Sequence, residues 1–141
     1  MRGASVRWRL ADLIIGTTLL LGACSGHQDW FGGSAADDAI NAYPANYKAD
    51  ILAGMHAYLN DPTGIRDAAV SQPVLKSVDY NTRYLVCVQF NGKQSGSTYA
   101  GIREFAAVFL AGHFDHFVEK AQEQCAGAAY TPFPELEKLP R

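Results

Sequence analysis

Residues 83–101 read RYLVCVQFNGKQSGSTYAG. Within them Tyr84, Val86, Val88 and Phe90 alternate with Leu85, Cys87 and Gln89. Side chains on a strand point to opposite faces in turn, so this period of two predicts a strand. Gly92 to Ser97 is turn material, and Thr98 to Leu110 supplies a return strand. Ala106, Ala107 and Ala111 leave a helix open in the second half of that return. An antiparallel hairpin therefore stands at the centre of the chain.

Upstream, Asp67 to Ser71 and Val74 to Asp79 are short extended segments separated by Pro73, which suits a sheet edge or a bend. Before them the period changes. From Asn46 to Leu59 the residues Tyr47, Ile51, Leu52, Met55, Tyr58 and Leu59 recur three and four apart. That spacing is one face of an amphipathic helix of about four turns. Pro44 precedes it and Asn60-Asp61-Pro62 closes it, as expected at a helix boundary. Downstream of Gly112 the sequence predicts a short helix within Asp115 to Cys125. The tail carries Pro132, Pro134 and Pro140, with Phe133 and Leu136 packing it back on the body. A sheet face needs cover, and the helix stripe supplies it. The fold class expected is α+β, with an N-terminal amphipathic helix packed on a small antiparallel sheet around a central hairpin.

The first residues, MRGASVRWRL, hold Arg2, Arg7 and Arg9 against Asp12. The apolar stretch Leu13 to Ala23 is about half the ~20 residues that a membrane-spanning helix needs. A basic start, a short apolar core and a small-residue ending make a secretory signal peptide. Its end, Leu21-Gly22-Ala23-Cys24, resembles the lipobox of bacterial lipoproteins. The resemblance implies that Cys24 becomes a lipidated mature N-terminus, and that residues 1–23 are removed. Ser25 after the cysteine implies the outer membrane, facing the periplasm. Two or more acyl chains anchor a protein stably, whereas one does so only marginally.

Loss of three arginines and one aspartate takes the net charge from −2 to −4. An acidic surface of this kind offers no electrostatic reason to bind nucleic acid. Residues 24–42, rich in Gly, Ser, Asp and Ala, read as a flexible tether whose last eighteen residues reach about 20–25 Å. Trp30 and Phe31 within it suit the membrane interface, packing on the domain, or neither. Residues 43–141 are then a single domain, of the usual size of about 100 residues.

Lipidation of Cys24 leaves Cys87 and Cys125 as the remaining pair among three cysteines. An exported protein meets an oxidising compartment, so a disulfide tying the C-terminal segment to the central strand is expected, with two buried free thiols as the alternative. Mid-strand among Leu85, Val86 and Val88, the Cys87 thiol lacks the setting of a nucleophile.

The chain also resembles small uncharacterised lipoproteins of alphaproteobacteria, in Tyr47-Lys48 opening a helix, Asp61-Pro62 closing it, and the hairpin beyond. Cys87, Asn91, Lys93, Gly96, Tyr99 and Gly101 are similar to a C-x-x-x-N-x-K-N-x-x-G-x-Y-x-G pattern of small bacterial and phage-associated proteins. Gln94 stands where that pattern has its second asparagine, and Gly96 comes one position early. The likeness implies a fold and an envelope location, without an activity.

Three functions follow as expectations. The first is a non-enzymatic structural or protein-interaction module with an envelope protein as partner, through the loop of Asn91, Lys93, Ser95, Gly96 and Tyr99 or through an edge strand. It takes no cofactor, and no small-molecule ligand is inferred. The second comes from Ser95-Gly96-Ser97-Thr98-Tyr99, where S-G-x-x-Y resembles the loop that inhibitors of c-type lysozyme insert into the enzyme's cleft. The third is a metal-binding or hydrolytic site around His113, Asp115 and His116, with Ser95 or Ser97 as a nucleophile. A zinc site needs three or four ligands in geometry that spacing alone does not supply.

Overall fold

The alternation at 84–90 extends in both directions to make the longest strand of the sheet. In the computed structural model, which describes residues 35–78, 80–94 and 97–141, the order is α1 (Ala35–Ile40), α2 (Tyr47–Tyr58), β1 (Arg66–Val70), β2 (Val74–Val78), β3 (Asn81–Lys93), β4 (Tyr99–Leu110), β5 (His113–Glu119), β6 (Thr131–Pro132) and α3 (Pro134–Glu137). The sheet is antiparallel, ordered β5-β4-β3-β1-β6, with β2 also paired to β3. One edge of β3 thus carries β4, while β1 and β2 share the other, at Val88 to Asn91 and at Asn81 to Leu85. Cys24, the signal segment and the first part of the expected tether lie outside the described residues. The last part of that tether forms α1, and the Ile40 carbonyl accepts the Ala111 N–H at 2.7 Å.

Both faces of the sheet are covered. On one, Val86, Val88 and Phe90 from β3 join Phe105, Ala107 and Phe109 from β4, beneath Ile51 and Met55 of α2. Tyr47, Ile51 and Met55, four residues apart, are the buried stripe of that helix. Phe133 and Leu136 reach the same cluster, so the tail does pack back as its apolar residues predict. The Phe133 N–H donates to the Ala68 carbonyl at 2.8 Å. Full burial of each such large side chain is worth about 1.5–3 kcal/mol.

On the opposite face Leu85, Cys87, Ala106 and Val108 lie under Ala121 and Cys125. The disulfide Cys87–Cys125 joins strand and cover, with Cα atoms 5.7 Å apart. Ala106 is paired directly across from Cys87, and its small side chain leaves the space that Cys125 fills. Ala106 and Ala107 therefore serve opposite faces of one strand. The helix left open for the second half of 98–110 is absent, and β4 runs unbroken to Leu110.

The helix expected within Asp115 to Cys125 is a misreading with a clear cause. Residues 113–119 are β5, followed by turns from 121 to 127. The register passes from Val108↔His116 to Phe109↔Phe114, so Asp115 is an extra residue bulged out of the ladder. The bulge puts Phe114 and Phe117 side by side, ring centroids 4.5 Å apart, although they are three positions apart. A strand with one bulge thus imitates a helical spacing.

Gly54 on α2 answers to the same ring. A Cβ there would lie 2.9 Å from Phe114 Cε1, so the glycine lets β5 close against the helix.

Candidate functional site

β1 and β2 are separate strands because Ser71-Gln72-Pro73 interrupts them, and Pro73 has no N–H to offer a ladder. Ser71 bridges the gap. Its N–H donates to the Cys87 carbonyl at 2.8 Å, and its Oγ accepts the Cys87 N–H at 2.8 Å. Ser71 is the buried polar side chain of the described core.

Beside this bridge a groove of about 390 Å³ opens on the disulfide face. Ser71, Val74, Lys76, Leu85 and Cys87 line one side, and residues 126–129 the other. The Lys76 ammonium donates to the Gln124 carbonyl at 2.6 Å, which ties β2 to the covering turn. The groove runs along β2, which among the described residues pairs with β3 alone. Val74 is 49% exposed and Leu75 47%.

Among the described residues the sheet has two other edges, and both are guarded. β5 carries the Asp115 bulge together with His113, His116 and Glu119. β6 is two residues long and ends in Pro132. Bulges, charges, prolines and shortness are the usual means of blocking an edge. β2 has Pro73 before it and one lysine, and is otherwise apolar or small.

Of the expected interaction loop, Ser95 and Gly96 lie outside the described residues. Asn91 and Tyr99 turn inward as supports. The Asn91 Oδ1 accepts the Gly101 N–H at 3.0 Å, and the Tyr99 hydroxyl donates to the Gly64 carbonyl at 3.0 Å. The Arg66 guanidinium sits 4.2 Å from the centroid of the Tyr99 ring. Lys93 is exposed, yet its chain crosses Gly64, where a Cβ would be 2.5 Å from Lys93 Cε. Nearby Asp61 accepts from the Thr63 hydroxyl and N–H, which with the Arg141 and Lys93 charges holds its carboxyl below the usual range.

His113, Asp115 and His116 are all exposed, and His116 Nδ1 lies 2.8 Å from Asp115 Oδ2. Among the described residues no three His, Cys, Asp or Glu side chains converge as a metal site would require. Ser97 precedes β4, whereas His113 and His116 pair with Leu110 and Val108 at its far end. Twelve strand residues span roughly 35 Å, so the geometry keeps that serine from these histidines.

Two tyrosine–carboxylate pairs flank β4 and β5. The Tyr58 hydroxyl donates to Glu119, and Tyr130 to Glu104. Burial, and then the Glu104 carboxylate, hold the Tyr130 hydroxyl well above the ordinary tyrosine range.

Comparison of the chain with protein-family models, curated proteins and solved structures finds no match. Among the described residues no helix is long and apolar enough to cross a membrane. Sequence reasoning passed over Ser71, Val74 and Lys76, and the signal that pointed to them was Pro73.

Proposed function

We propose that this chain is a lipid-anchored envelope protein. In this reading Cys24 carries the acyl chains, at the outer membrane facing the periplasm, and residues 43–141 form an α+β module without catalytic activity. It works by contact with another envelope protein, through the free edge of β2. Exposed edge strands present unpaired N–H and C=O groups, and strand addition is a recurrent way of binding extended segments. One observation carries the reading: among the described residues β2 is paired on one side only, with Val74 half-exposed at the groove and Leu75 half-exposed on the opposite face.

The test is crosslinking and pull-down from detergent-solubilised envelopes, with wild type beside Leu75→Lys. Leu75 is exposed, so the substitution leaves the core intact. Wild type retains a partner that Leu75→Lys loses. Recovery of no partner, or equal recovery by both proteins, defeats the reading. The anchor has its own check, since labelled palmitate enters wild type and not Cys24→Ala.

A further inference from the structure

We infer that the β2 edge selects a strand-forming segment that carries an apolar residue and a carboxylate two positions apart. The inference rests on the edge reading above and specifies its partner. Val74 pairs with Leu85, and Val78 lies with Leu85 and Cys87 in the core of the disulfide face. Val74, Lys76 and Val78 alternate, so all three address that face.

A strand added beside β2 continues the same alternation. Its residue next to Val74 enters the groove, and the residue two positions along stands beside Lys76. This spacing holds for parallel and antiparallel addition alike. The residue between them falls on the helix face next to the half-exposed Leu75, which pairs with Tyr84.

The chemistry of the two positions differs. The groove walls are Val74, Leu85, Cys87 and the small residues of 126–129, which suits an aliphatic side chain. Among the described residues that line the groove, Lys76 alone is charged. An ammonium has three donors, and the Gln124 carbonyl takes one. That contact holds the cation at the rim with donors to spare. Across neighbouring strands opposite charges attract and like charges repel, so a carboxylate fits here and an ammonium does not.

The mature lipidated protein in neutral detergent micelles provides the test. The probe is a seven-residue strand-forming peptide of threonines with a valine and a glutamate two positions apart, labelled with an uncharged fluorophore. Its partner has lysine in place of the glutamate, and anisotropy at low salt reads binding. Wild type is expected to bind the glutamate peptide roughly fivefold or more tightly than the lysine peptide. Lys76→Glu inverts the preference. Lys76→Gln, which keeps a donor for Gln124, abolishes it. Equal affinity for the two peptides, or a preference that survives Lys76→Gln, overturns the inference. If both peptides bind equally and Leu75→Lys weakens both, the edge reading stands and the selectivity falls. If neither binds at millimolar concentration while the pull-down depends on Leu75, the selectivity again falls alone; if both experiments fail, both readings go.

Discussion

Ser71 and Cys87 exchange two hydrogen bonds of 2.8 Å across the break between β1 and β2, one of them through the serine hydroxyl. A side chain here substitutes for a missing rung of the ladder, at the residue that also carries the disulfide. Ser71→Ala keeps the backbone bond but leaves the buried Cys87 N–H without an acceptor. The expected cost is about 1–3 kcal/mol, seen as a lower urea midpoint at unchanged slope. An unchanged midpoint contradicts this role.

The disulfide closes a span of 38 residues. Constraint of the unfolded chain over that span stabilises by about 4 kcal/mol. Replacement of Cys87 and Cys125 together by alanine lowers stability by about that amount, with the covering turn at 121–127 the first region to lose amide protection. Intact mass with and without reductant differs by two hydrogens, and free thiols in the unfolded wild type refute the crosslink.

Gly54→Ala sets helix propensity against packing. Alanine gains about 1 kcal/mol in a helix interior, while overpacking costs about 1–3 kcal/mol. With Phe114 Cε1 2.9 Å from the new Cβ, packing dominates, and we expect a net loss of about 1 kcal/mol. In a Phe114→Ala background the same substitution becomes stabilising. A double-mutant cycle by thermal denaturation measures the reversal; additive effects would show that helix and ring do not compete.

Tyr130 gives a pH dependence of known sign. Its hydroxyl titrates above the ordinary value of about 10, because burial and the Glu104 carboxylate disfavour the phenolate. The folded chain holds that proton longer than the unfolded one does. The stabilisation is complete below about pH 10 and is lost as pH rises through the folded value. Tyr130→Phe is therefore less sensitive to alkali than wild type between pH 10 and 12. Parallel stability profiles of the two proteins across that range would exclude the effect.

How far the fold is legible follows from which contacts are local. The helix at 46–59 announces itself through Tyr47, Ile51 and Met55, and the structure places it at Tyr47–Tyr58 with those three buried. The strand around Cys87 is legible from alternation, and lengthens to Asn81–Lys93 because pairing with β2 and β4 supports its polar ends. β5 is illegible because one bulged residue, Asp115, shifts Phe114 and Phe117 onto the same face and breaks the period. The candidate site is less legible still. Its parts come from Ser71, Lys76, Cys87 and the turn near Gln124, and no local pattern links them.

The sequence by itself determined the alternating central hairpin, the helix stripe that covers it and the cysteines available to tie the C-terminal segment to it. These rest on periodicity and residue chemistry, which act over a few neighbours or by simple count. The tertiary structure alone decided the rest. It folded Tyr99 onto Gly64 and Arg66, and so turned a loop residue expected to meet a partner into a support. Among the described residues it left the β2 edge open beside the disulfide groove, because β6 is two residues long and pairs with Ala69 and Val70 of β1 alone. Which strand edge lacks a neighbour is a property of the whole sheet, and it takes the assembled sheet to show it.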